Sequence, residues 1–196
     1  MSILTVFSSL LGFAQNLNVT DGKVTTKHGV MEVASKEMRA VQRQNMPTDA
    51  KVELSFTYIG PSKEVSRLGN GEVRHQIGLK LFAQDPCNLL YVMWDFGYPS
   101  NLRVSVKLNP SSDWRVCRDG GYNVLKPTLV KALPAIEIGS SHVLTVETKG
   151  VEFTAYVDGN PVWSGVNNVN PALCGPAGIR SDNVHAAFNL AVTEVK

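Results

Sequence analysis

Apolar and polar side chains alternate along several short segments of the chain, and turn residues separate these segments. Residues 52–58 and 102–108 both carry an apolar or aromatic side chain at every second position, with polar residues between. A period of two buries one face of a β-strand and leaves the other face to solvent. Further strands are predicted on similar grounds at residues 76–82, 89–96, 142–148, 151–157 and 187–195. Few segments carry a helical period, so the pattern predicts an all-β protein with antiparallel sheets.

The turn residues are clearest in the last third of the chain. Lys149-Gly150 separates two predicted strands, and Asp158-Gly159-Asn160 separates the second of them from a third strand that starts at Pro161. Asp and Gly suit these turns because they tolerate the positive φ angles of tight hairpins. Residues 175–181 are predicted to form a further turn and a short strand. The chain is therefore expected to close as a series of hairpins.

A single domain over residues 1–196 is predicted, because no linker, internal repeat or low-complexity tract divides the chain. Residues 111–138 follow no clear pattern, and we expect a long excursion with one short strand or a helical turn, of the kind that often has a function. Residues 3–14 are apolar but no Lys or Arg precedes them. A structural first strand or short helix is therefore favoured over a cleaved signal peptide. This favours synthesis in the cytosol without a cleaved signal, with a virion or extracellular location as alternatives.

Charge and cysteine content narrow the classes of partner. The 19 basic and 17 acidic residues are well mixed and give a net charge of +2, so the basic patch of a nucleic-acid binder is missing. The apolar run at residues 3–14 is too short to span a membrane as a helix. The three cysteines, Cys87, Cys117 and Cys174, match no zinc-binding spacing. We expect three partly buried free thiols in a reducing compartment, with one disulfide and one free thiol as the alternative.

Two C-terminal segments resemble the concanavalin A-like lectin/glucanase superfamily, namely HVLTVETKGVEFTAYVDGNPVWSG and CGPAGIRSDNVHAAFNLAVTEV. They are most similar to its laminin-G-like and 3-keto-disaccharide hydrolase-like domains, through the order of YVDG, a strand, GxxGxR and a final apolar strand. The resemblance implies a jelly-roll β-sandwich of two packed antiparallel sheets, with a concave face that often binds a saccharide or a protein. It also suggests an opening hairpin over Leu17 to Met31, with Asp21-Gly22 as its turn residues. It covers the last ~55 residues well and the rest by strand spacing only, and it implies no activity by itself.

The sequence contains no catalytic constellation that can be identified. Glycosidases need a pair of carboxylates, and the glucanase branch of the resembled superfamily carries its carboxylates in an ExDxxE pattern that this chain lacks. Glu147 and Glu152 flank a predicted turn and are expected on a solvated face. The four histidines are scattered and no Gly-x-Ser-x-Gly elbow occurs. We therefore expect a protein that is not an enzyme.

Calcium is the one cofactor that the resemblance raises, because laminin-G-like domains often hold it at a loop edge. Its hard-oxygen ligands would come from Asp158, Asp182 or Asn183. All three residues also have an explanation as turn residues. We expect no cofactor and keep a calcium site as the less favoured alternative.

The predicted strands define a candidate binding surface. If the apolar positions of residues 76–108 point into the core, the opposite register, which includes Lys107, lines the other face of the sheet. Aromatic rings beside planar hydrogen-bonding groups suit a sugar or a polar protein surface, whereas the alternative is an ordinary solvated sheet face. The candidate ligand-binding residues are Arg74, Gln76, Lys80, Tyr91, Asp95, Arg103 and, from the excursion, Trp114.

These observations favour a non-catalytic binding or structural module that recognises a carbohydrate or a protein neighbour. A phage decoration or tail component of a virion is a narrower version of this hypothesis, and a homo-oligomer is left open. One alternative is a glycoside-acting hydrolase that uses Arg74, Gln76, Asp95 and Arg103. Another alternative is a secreted calcium-dependent lectin.

Overall fold

The computed structural model describes residues 17–110, 117 and 120–195. Trp114 and the apolar segment at residues 3–14 lie outside these residues. The described strands are β1 (Asn18–Asp21), β2 (Val24–Lys27), β3 (Val30–Val33), β4 (Glu37–Asn45), β5 (Ala50–Pro61), β6 (Gln76–Asp85), β7 (Asn88–Asp95), β8 (Asn101–Lys107), β9 (Tyr122–Val124), β10 (Leu129–Val130), β11 (Ser141–Lys149), β12 (Glu152–Val157), β13 (Asn160–Val166), β14 (Pro176–Asp182) and β15 (Val184–Glu194).

The strands form two antiparallel sheets. The first has seven strands in the order β1-β4-β14-β6-β7-β8-β9, and the second has eight in the order β10-β13-β12-β11-β5-β15-β3-β2. Some neighbours in each sheet are distant in sequence: β14 lies between β4 and β6, and β5 lies between β11 and β15. The predicted all-β, two-sheet antiparallel sandwich is confirmed.

The core lies between the two sheets. Leu54 in β5 faces Leu144 and Leu190 on its two neighbouring strands, and all three are fully buried. The seven-stranded sheet contributes residues of the predicted inward register, including Leu79 and Val92. Each such side chain contributes about 1.5–3 kcal/mol when it leaves water. The alternation predicted for these strands is confirmed.

The C-terminal hairpins also follow the prediction. β11, β12 and β13 pair in sequence, with a two-residue turn at Asp158-Gly159. Both residues have positive φ, 51° for Asp158 and 79° for Gly159. This conformation matches the twist of the flanking strands, which is why Asp-Gly is favoured there.

The expected opening hairpin at Asp21-Gly22 is wrong. β1 pairs with β4 in the seven-stranded sheet, whereas β2 pairs with β3 in the eight-stranded sheet. The chain therefore crosses between the sheets at Gly22, whose φ is 72° and where a Cβ would meet the Glu37 backbone oxygen. The hairpin forms one strand later, at His28-Gly29, where both φ angles are positive. Strand β4 was not predicted.

The expectation of three free thiols is also wrong. Cys87 and Cys117 form a disulfide with a Cα–Cα distance of 5.1 Å, and Cys174 is free and exposed. Cys87 lies in the turn between β6 and β7, and Cys117 follows β8, the partner of β7. Antiparallel pairing brings these two loops to the same end of the sheet, within the Cα separation that a disulfide requires. Cysteine count and spacing carry no information on this proximity.

The excursion at residues 111–138 has short strands where it is described. β9 extends the seven-stranded sheet beside β8, and β10 extends the eight-stranded sheet beside β13. Among the described residues, no helix has the length and apolar character needed to cross a bilayer.

Candidate functional site

The face of the seven-stranded sheet that points away from the second sheet carries an unusual set of buried polar side chains. We call it the outer face. Its central strands place residues of the register opposite to the core side by side. One cross-strand row contains Glu37, Asp182, Gln76, Asp95 and Asn101; the next contains Arg39, Arg180, Gly78, Met93 and Arg103; a third contains Val41, Gly178, Lys80, Tyr91 and Ser105.

Burial distinguishes this face from an ordinary solvated sheet. Gln76, Lys80 and Asp95 are only 2%, 3% and 5% exposed. Polar groups in this position need partners, because an unpaired buried polar group costs free energy. The alternative of a simply solvated face therefore does not describe these residues.

Asp182 is the centre of one polar network. Its Oδ2 accepts hydrogen bonds from Arg180 Nε at 2.9 Å and from Gln76 Nε2 at 2.6 Å. Its Oδ1 lies 3.5 Å from an Arg39 guanidinium nitrogen. Arg39 also contacts Glu37 at 2.9 Å. Strands β4, β14 and β6 thus hold two carboxylates, two guanidinium groups and an amide side by side on the outer face, with charges that compensate.

A second network lies at the other side of Gln76. Asp95 accepts a hydrogen bond from Arg103 Nε at 2.9 Å. Glu72 accepts two hydrogen bonds from Arg74, at 2.6 and 2.8 Å, and also lies 3.9 Å from Arg103. Hydrogen bonding from Arg74 is the main cause that lowers the pKa of Glu72 to about 2. The Glu72 carboxylate is therefore held ionised beside arginines.

Two tyrosine rings and two cations form the third part of the outer face. Tyr91 and Tyr122 stack with centroids 6.1 Å apart. The Arg180 guanidinium lies 5.1 Å from the Tyr91 ring, and Lys107 Nζ lies 4.8 Å from the Tyr122 ring. Burial raises the pKa of Tyr91. Burial acts in the same direction on Tyr122, but the positive charges of Arg180 and Lys107 outweigh it and lower the pKa of Tyr122.

Lys80 lies beside this pair of rings, opposite Tyr91 on one neighbouring strand and Gly178 on the other. Within the described part of the chain it makes no hydrogen bond and no salt bridge. Burial, together with the positive charges of Arg39, Arg180 and Lys107, lowers the pKa of Lys80 to about 8. A groove of about 510 Å³ runs next to Lys80 along strands β1, β4 and the end of β6.

The structure brings most of the predicted ligand-binding residues together. Gln76, Lys80, Tyr91, Asp95 and Arg103 lie on the outer face of β6, β7 and β8, and their role in binding stays a prediction. Arg74 precedes β6 and joins the second network through Glu72. Trp114 falls outside the described residues.

Sequence reasoning missed four members of the outer face, namely Arg39, Glu37, Arg180 and Tyr122. In β4, Met38 and Ala40 are fully buried between polar neighbours, which is the same alternation that revealed β5. For β14, the sequence predicts a short strand at residues 175–181, but the segment has no clear apolar alternation that would assign Arg180 to the outer face. A period-two search that tolerates short side chains would have found β4.

The candidate calcium ligands do not form one site. Asp158 lies in the eight-stranded sheet and contacts His142 Nδ1 and the Val143 amide, each at 2.8 Å. Asp182 is occupied by arginine and glutamine donors. Asn183 accepts from the Ser66 amide at 2.7 Å and donates to two backbone carbonyls. Because these side-chain oxygens are satisfied by protein donors and lie on different sheets, the residues do not fit a calcium ion.

Comparison with known proteins shows which solved structures have a similar fold. The sequence matches no protein-family model and no curated protein. In structure it is similar to the carbohydrate-binding module CBM66 from Bacillus subtilis, at 17% identity over 91% of this chain and 95% of that chain, with a TM-score of 0.66. It is also similar to the Emp46p carbohydrate recognition domain in its metal-free form, at 10% identity over 98% of this chain and 94% of that chain, with a TM-score of 0.56.

A third similar structure is the Crh5 transglycosylase in complex with NAG, at 16% identity over 91% of this chain and 77% of that chain, with a TM-score of 0.53. Binding proteins and an enzyme thus share this architecture, so the likeness shows the fold and leaves activity open. The two antiparallel sheets and these likenesses show that the chain has a jelly-roll β-sandwich fold.

Proposed function

We propose that the protein is a non-catalytic carbohydrate-binding module and that the outer face of the seven-stranded sheet is its binding surface. The observation that carries this proposal is the arrangement on that face of buried, mutually hydrogen-bonded Asp182, Arg180 and Gln76 beside stacked tyrosines. Such a surface is rigid before any ligand arrives, so binding costs little ordering entropy.

A sugar suits this chemistry on two counts. Neighbouring hydroxyls of a sugar ring act as paired donors and acceptors, which planar groups such as Arg103 and Asp95 can engage. The apolar face of a sugar ring packs on an aromatic ring. Tyr122 is 43% exposed and stacks on the buried Tyr91, so it offers a supported ring to a ligand.

The rival function is a glycoside-acting hydrolase, and the lowered pKa values of two glutamates on or beside the outer face argue against it. A glycosidase needs one carboxyl group with a raised pKa to act as general acid. Hydrogen bonds and charges from neighbouring residues instead lower the pKa of Glu72, and they outweigh burial to lower the pKa of Glu37. Asp95 and Asp182 both accept hydrogen bonds from arginine. Turnover of a glycan panel that Asp95→Asn abolishes would support the hydrolase and refute the binding module.

Binding to a glycan panel, followed by isothermal titration, tests the proposal directly. Tyr122→Ala and Arg103→Ala remove partly exposed groups of the outer face, and Lys149→Met on the second sheet is the matched control. Tyr122→Ala is expected to weaken binding by about two- to tenfold, the value of one aromatic stacking contact. The proposal fails if no glycan binds, or if both outer-face variants bind as well as the control.

The narrower hypothesis of a virion decoration or tail component stays a prediction, as does binding of a protein neighbour. Size-exclusion chromatography with light scattering tests it. A strict monomer that joins no particle would remove the virion hypothesis without affecting carbohydrate binding.

A further inference from the structure

The outer face holds more positive charge around Tyr91 than its own carboxylates neutralise. Arg39 makes ion pairs with Asp21, Glu37 and Asp182, and Arg180 makes one with Asp182. The carboxylates at this side of the sheet are thus already occupied by two arginines. Lys80 and Lys107 add two further cations.

Neither lysine has a carboxylate partner among the described residues. Lys107 is 5% exposed and lies over the Tyr122 ring, a neutral group. Lys80 is 3% exposed and has no hydrogen-bond partner in the described part of the chain. An unpaired ammonium group on a side chain that is almost fully buried is rare, because removal from water is costly unless an opposite charge compensates. An anion that reached Lys80 would supply that compensation.

The space for such an anion is present. The groove of about 510 Å³ that Lys80 lines also presents Arg43, Gln42 and Asn18, which can donate hydrogen bonds. Asp85 is also in its lining, but its carboxylate accepts hydrogen bonds from the Cys87 amide and the Asn88 side chain. Lys80 thus lies at the edge of a groove whose other polar side chains make no ion pair with a carboxylate or an arginine among the described residues.

We propose that Lys80, reinforced by Lys107 and Arg43, is an anionic subsite that takes the carboxylate or sulfate group of an acidic saccharide. This inference rests on the proposed carbohydrate-binding function. A lysine acts as a point charge rather than a planar fork, so it accepts both the flat carboxylate and the tetrahedral sulfate. A polyanion such as a nucleic acid is disfavoured, because the 19 basic and 17 acidic residues are well mixed and form no extended basic patch.

The test uses matched neutral, uronic-acid and sulfated oligosaccharides built on glucose, galactose and mannose, titrated against the full chain by calorimetry. At least one charged member is expected to bind at least about tenfold more tightly than its neutral counterpart, an advantage that weakens at high salt. Comparison of the uronic-acid and sulfated sets shows which anion is preferred. Lys80→Met is expected to abolish the preference, Lys80→Arg to retain it, and Lys149→Met to leave it unchanged.

The outcomes separate this inference from the function on which it rests. If neutral and charged members bind equally, or if Lys80→Met keeps the preference, the anionic subsite is refuted and carbohydrate binding stands. If no saccharide of any kind binds, both proposals fail. Thermal melting of Lys80→Met shows that the variant is folded before its binding is measured.

Discussion

Replacement of Lys80 by methionine is expected to stabilise the unliganded protein at neutral pH. The folded structure lowers the pKa of Lys80 from 10.5 to about 8, which means that the charged form is disfavoured relative to the unfolded chain. At pH 7 a difference of that size corresponds to about 3 kcal/mol of lost stability. Methionine keeps most of the aliphatic stem and removes the charge. The free energy of unfolding should therefore rise by about 3 kcal/mol, which corresponds to about 6–12 °C in Tm for a domain of this size.

The pH dependence gives the same prediction a second readout. Between about pH 8 and 10.5 Lys80 has lost its proton in the folded protein but keeps it in the unfolded chain. The unfolded state therefore binds more protons, and the free energy of unfolding of the wild type rises with pH over this range. The difference in Tm between wild type and Lys80→Met should therefore shrink over that range. Tyrosine titration affects both proteins equally, so it cancels in this difference. Thermal melting by circular dichroism from pH 7 to pH 10.5 measures it, with Lys149→Met as the control. If Lys80→Met melts at or below the wild-type temperature at pH 7, the assignment of Lys80 as an uncompensated buried cation is refuted.

Three further outcomes are expected. Asp182→Asn should cost about 3–5 kcal/mol in urea unfolding because it leaves the buried Arg180 without its carboxylate, and a loss below 1 kcal/mol would contradict the central network. Reduction of the Cys87–Cys117 disulfide, which spans 30 residues, should lower unfolding free energy by about 3–4 kcal/mol; an unchanged denaturation midpoint in dithiothreitol would show that the bond is not formed. EDTA should leave the melting temperature unchanged, because the candidate calcium oxygens are occupied by protein donors, and a lowered Tm would restore the calcium hypothesis.

The burial of a residue on the outer face could not be predicted from the sequence, as Lys80, Lys107 and Arg103 show. All three occupy the outward register that period-two alternation predicts, and the structure places them there. The alternation predicts the face but not the environment, so an outward residue was expected to meet solvent. Lys80 and Lys107 are nevertheless almost fully buried, whereas the Arg103 side chain is 44% exposed. Burial on this face depends on neighbours from other strands, which no local pattern describes.

Local sequence predicts most of the longer strands, their inward faces and the tight turns, because alternation and positive φ preferences act within a few residues. Asp158-Gly159 is one example, since a turn of two residues is decided by those two residues. The choice of neighbouring strands depends instead on the tertiary structure. That structure joins Arg39, Gln76 and Asp182 in one network, although 143 residues separate Arg39 from Asp182. Strands that are distant in sequence pair because their apolar faces fit together in the core. That pairing also brings the polar side chains of the opposite face together, so the polar network cannot be read from any local segment.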